Sequence, residues 1–81
     1  MSTRKEFRAL ITMYSALKDT EEILNSDYHD QILYDIDGYR SEYEEHGSPE
    51  NRQKLTETLK KQVEAMTKLV IAMKAVNFMY G

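Results

Sequence analysis

The chain has 81 residues, no cysteine, and 14 acidic against 11 basic side chains, for a formal net charge of −3. This length supports one small domain, which buries only about 60–65% of the surface its unfolded form exposes. With disulfides and cysteine-held zinc excluded, added stability must come from helix packing or oligomerisation, and an isoelectric point of about 5.3 argues against direct nucleic-acid binding.

Three glycines, one proline and 31% charged residues suit long helices better than sheets. The first segment, about residues 3–25, carries Phe7, Leu10, Tyr14, Leu17 and Leu24 at helical spacing, with Ile11 widening the stripe. Thr3 and Glu6 have capping-box spacing, and Ser2 is a second candidate cap. The N-terminus enters this amphipathic pattern directly, so no signal peptide is expected. Glu21 falls where the stripe calls for an apolar residue. Asn25-Ser26-Asp27 then forms a polar break with capping chemistry, read as a turn.

The second segment is expected to be helical over about 28–46, with Ile32, Leu33, Ile36, Tyr39 and Tyr43 on one face. Gly38 weakens that helix by about 0.5–1 kcal/mol relative to Ala; it marks either a tolerated weak point or the close approach of a backbone or ligand. Gly47-Ser48-Pro49-Glu50 is the clearest signal in the chain. Gly47 is expected to end the helix in a left-handed conformation. Ser48 caps the next helix, Pro49 starts it, and Glu50 favours its positive end.

The third segment, about 49–80, has no internal Gly or Pro. Leu55, Leu59, Val63, Met66, Leu69, Val70, Met73, Val76 and Tyr80 keep the 3–4 spacing. From Leu69 to Tyr80 only Lys74 and Asn77 interrupt an apolar run, and a helix apolar all round must be covered all round. The run is shorter than the ~20 residues of a membrane span. The reading is therefore all-α: an antiparallel three-helix bundle or helical hairpin with a long C-terminal helix, oligomeric, soluble and cytoplasmic. Leu69, Val70, Met73, Val76, Phe78, Met79 and Tyr80 are the expected partner or self-association interface.

Charge is segregated. Residues 27–46 hold seven acidic groups against Arg40 alone, whereas residues 47–81 hold six basic against three acidic. Complementary helix faces explain this pattern; an acidic docking face of Asp30, Tyr34, Asp35, Asp37 and Glu44 is the functional alternative, since tyrosine is favoured at interfaces.

Catalytic, metal and cofactor chemistry is not legible. His29 and His46 lack the Glu-x-x-His partners of a helical di-metal centre. No nucleophile–base constellation or Gly-rich phosphate loop stands out. The expected function is a non-enzymatic helical interaction protein. It would bind, and regulate or inhibit, another protein, as a bacterial or phage accessory factor and as a homodimer. The alternatives are a membrane-surface immunity or lysis-regulating protein using its apolar C-terminal helix, and an acidic nucleic-acid mimic.

Overall fold

A 32-residue helix, α4 (Pro49–Tyr80), is the spine of the molecule. At 1.5 Å per residue it is about 48 Å long, which accounts for the 47 Å long axis of the computed structural model. The structure describes residues 3–80, with side chains from 4 to 76. The remaining helices are α1 (Thr3–Lys18), α2 (Glu21–Leu24) and α3 (Ile36–Glu45), with a 3-10 turn at Asp27–Gln31. There is no strand among the described residues, so the fold is all-α. Each of α1, α2 and α3 packs against α4.

Helical spacing dictates the core. Phe7, Leu10, Ile11 and Tyr14 line one side of α1 and are buried against Leu55, Leu59, Val63, Met66 and Val70 of α4 and Tyr39 and Tyr43 of α3. Phe7 stacks on Tyr43 with ring centroids 4.1 Å apart, and Tyr14 meets Tyr39 edge-on at 5.3 Å. Numbers rise along α1 as they fall along α3, so these two helices run in opposite directions.

The α3–α4 reversal is built as the Ser48-Pro49 signal requires. The Ser48 hydroxyl accepts from the Asn51 N–H at 3.1 Å, and Pro49 is the first helical residue. Side chains of α4 in turn satisfy the carbonyls that end α3. Asn51 Nδ2 donates to His46 O at 2.8 Å, and Arg52 Nε donates to Tyr43 O at 3.0 Å. Gly47 corrects the sequence reading: no glycine among the described residues has positive φ. Glycine is required there for space instead. A Cβ at residue 47 would overlap Tyr43 O and the Arg52 side chain, the two groups that form the hairpin bond.

Two helix boundaries also differ from the sequence reading. The helix expected over 3–25 stops at Lys18. Thr20 interrupts it: its hydroxyl donates to Leu17 O at 2.8 Å and accepts from the Ile23 N–H at 3.4 Å, closing one helix and capping α2. A turn follows at Asn25-Ser26, where Ser26 Oγ donates to Ile23 O at 2.9 Å. The helix expected over 28–46 does not begin until Ile36. Ile32 to Asp35 lie outside any helix, since the Tyr14 hydroxyl donates to Tyr34 O and Asp35 accepts from the Gly38 N–H at 2.7 Å, starting α3. Gly38 thus belongs to the first turn, where its close neighbours are Asp35 Oδ1 and the Tyr34 ring. The Ser2/Thr3 caps lie outside the described side chains.

Candidate functional site

The burial pattern of α4 changes at Val70. Up to that residue its stripe is buried in the core shared with α1, α2 and α3; beyond it, Ile71 is 63% exposed, Val76 is 54% exposed, and Met73 is half-buried. α2 is the element positioned beside this end. Its Ile23 is fully buried in the core, which fixes the short helix against α4. Glu21, Glu22 and Asn25 then face Ala72, Met73 and Val76 across a groove of about 480 Å³. The floor is apolar and one rim is acidic. Neither Glu21 nor Glu22 has an ion-pair partner among the described residues.

The residues expected to form the interface divide three ways. Val70 is buried in the chain's own core and is unavailable to a partner, while Leu69 packs partly against that core. Met73 and Val76 line the groove. The side chains of Phe78, Met79 and Tyr80 lie outside the described residues. Glu21, Glu22, Asn25 and Ala72 complete the groove and were not among the expected interface residues. The off-stripe Glu21 was their signal: it marks where the first helix has ended.

The expected acidic face is dispersed. Asp30 is exposed on the 3-10 turn, Asp37 is exposed in the first turn of α3, and Asp35 is occupied as the cap of α3. Tyr34 is 42% exposed and rests edge-on against Tyr39 at 5.0 Å. Glu44 lies at the far end of α3, bound by Arg4 Nη1 at 2.6 Å. That hydrogen bond, with the guanidinium charge, holds its carboxyl below the usual range. One residue of the five caps a helix and another is ion-paired, and all five remain exposed.

Under the ring of Tyr34 lies a tyrosine cluster. Tyr14 and Tyr39 are fully buried, and burial raises both phenols, with Tyr39 pushed up to about 12 by that burial and by Tyr34 and Tyr28. The Tyr14 hydroxyl has a partner in Tyr34 O, whereas the Tyr39 hydroxyl has none. No three metal-ligating side chains converge among the described residues, and no described helix is long and apolar enough to cross a membrane. Comparison with protein-family models, curated proteins and solved structures found no match.

Proposed function

We propose that this chain is a small non-enzymatic interaction protein that binds another macromolecule and thereby regulates or inhibits it, acting in the cytoplasm. In this reading α1, α3 and α4 close as an antiparallel three-helix bundle, and the α2–α4 groove is the docking site. The observation that carries it is the abrupt loss of cover on α4 after Val70, beside a groove with an apolar floor and two carboxylates at its edge. An amphipathic helix with basic side chains beside its apolar stripe is the complementary occupant. The chain supplies one itself: Lys68 and Lys74 flank Ile71 on α4. A second copy is therefore the first partner, giving a two-fold dimer through the C-terminal half of α4.

The test is mass in solution by light scattering over a concentration series, comparing wild type with Met73→Lys/Val76→Glu, alongside binding of a lysine-rich amphipathic helical peptide. A wild-type dimer and a folded monomeric double variant support self-association through the groove. Monomers of both, with the peptide bound by wild type only, assign the groove to a foreign helix. If the substitutions change neither mass nor peptide binding, the groove is not a docking site.

A further inference from the structure

The opposite end of the molecule holds a second cleft, of about 450 Å³, between α1 and α3. Arg4 and Arg8, one turn apart on α1, and Arg40 of α3 all line it. Glu44 is the one carboxylate among the lining residues. Three guanidinium groups thus gather in a chain whose net charge is −3 and whose acidic side chains outnumber its basic ones. Mutual repulsion of like charges opposes such a cluster unless something anionic relieves it.

Glu44 relieves only part of it. Its oxygens bind Arg4 Nη1 at 2.6 Å and Nη2 at 3.4 Å. The Arg4 guanidinium also lies over the Tyr43 ring, 5.6 Å from its centroid, so its plane is held from two sides. Arg8 and Arg40 are exposed and have no ion-pair or side-chain hydrogen-bond partner among the described residues. The backbone holds them in register: both stem from helices locked together by the stacking of Phe7 on Tyr43 just below. The cleft therefore offers one oriented guanidinium and two without a direct partner, Arg8 lying within the field of Glu44, above a rigid aromatic floor.

Arginine forks match the paired oxygens of phosphate and carboxylate, and several at one point suit a doubly charged ligand better than a singly charged one. The volume is that of a small-molecule site, not of a surface track for a polymer. We propose that this cleft binds a free phosphomonoester dianion, with Arg8 and Arg40 as the principal ligands and Arg4, braced by Glu44 and Tyr43, as the third. The proposal is independent of the groove, which lies at the other end of α1.

The experiment is an NMR titration of the arginine Nε–H resonances of the full chain with O-phosphoserine as probe, at constant ionic strength. Chloride and a phosphoserine-containing peptide are run in parallel. Saturable shifts of Arg8 and Arg40 with phosphoserine, absent with chloride, are expected. Arg8→Gln and Arg40→Gln should each weaken binding at least tenfold while leaving the circular dichroism and melting of the protein unchanged, because neither side chain supports the fold. Lys60→Gln, which removes an exposed charge on α4, should not alter binding. Equal responses to chloride and phosphoserine, wild-type affinity in either arginine variant, or an equal loss in Lys60→Gln would overturn the site. Binding of the phosphopeptide alone would overturn the free ligand in favour of a phosphorylated protein.

Discussion

The two halves of α4 share one apolar spacing but have opposite surroundings. From Leu55 to Val70 the stripe residues belong to the core shared with α1, α2 and α3 and are wholly or largely buried; between Ile71 and Val76 the four-residue α2 stands alongside, and Ile71 and Val76 emerge into solvent while Met73 stays half-buried. The difference lies less in α4 than in the lengths of its neighbours. α1 has 16 residues and α3 has 10, or about 24 and 15 Å, so neither reaches the end of a helix twice as long. Apolar pattern shows that a face is suited to burial; the covering elements decide whether burial occurs.

Substitutions measure this contrast directly. The largest loss is expected at Leu59, which is fully buried in the covered half. Leu59→Ala should cost about 2–5 kcal/mol in denaturant unfolding, through lost transfer energy and the cavity left behind. Gly47→Ala should come next, at about 1–3 kcal/mol, because the new methyl must displace either Tyr43 O or Arg52 from the hairpin bond. Arg52→Ala, which removes the donor and the guanidinium over the Tyr43 ring but forces no overlap, should cost less than Gly47→Ala in the same assay.

The tyrosine pair gives a smaller and more pointed test. Tyr14→Phe removes a hydrogen bond to Tyr34 O and should cost about 0.5–1.5 kcal/mol. Tyr39→Phe removes a buried hydroxyl without a partner and should be neutral or slightly stabilising. Since the folded-state phenols sit above their unfolded value, stability is complete below about pH 10 and falls as pH rises to about 12. Tyr39→Phe should flatten that fall by roughly 1–2 kcal/mol. An unchanged alkaline slope would show that the phenol is hydrated in the folded state.

At the other extreme, Ile71→Ser, on the uncovered half, should shift monomer stability by no more than about 0.5 kcal/mol. A loss that grows with protein concentration would place Ile71 in the proposed dimer, whereas a loss as large as that of Leu59→Ala in the monomer would erase the contrast.

Much of the architecture is legible in the residues. Phe7, Leu10, Ile11 and Tyr14, the Ser48-Pro49 start of α4 and the stripe from Leu55 to Val70 can all be read from spacing and capping chemistry. The helix breaks at Thr20 and Ile32–Asp35 cannot be read so simply. Thr20 acts through its hydroxyl and not through polarity in the pattern. Tyr34 is held out of helix by a phenol that is 20 residues away in sequence. The groove is legible only on its α4 side, because Glu21 and Glu22 reach it through a short helix whose existence depends on Thr20. The arginine cleft is equally hidden, since Arg40 joins Arg4 and Arg8 only after α3 has folded back along α1.

The bond from Arg52 to Tyr43 spans nine residues, whereas the ring contact of Phe7 with Tyr43 must close a loop of more than thirty. Loop-closure entropy grows with that separation. The α3–α4 reversal is therefore the natural nucleus of assembly, and α1 docks onto a template already in place. In stopped-flow kinetics Gly47→Ala should slow folding, while Leu10→Ala should chiefly hasten unfolding. The opposite pattern would make α1 the nucleus. On the first outcome, α1 is the element that leaves earliest when the protein opens, and the tyrosine cluster is exposed with it.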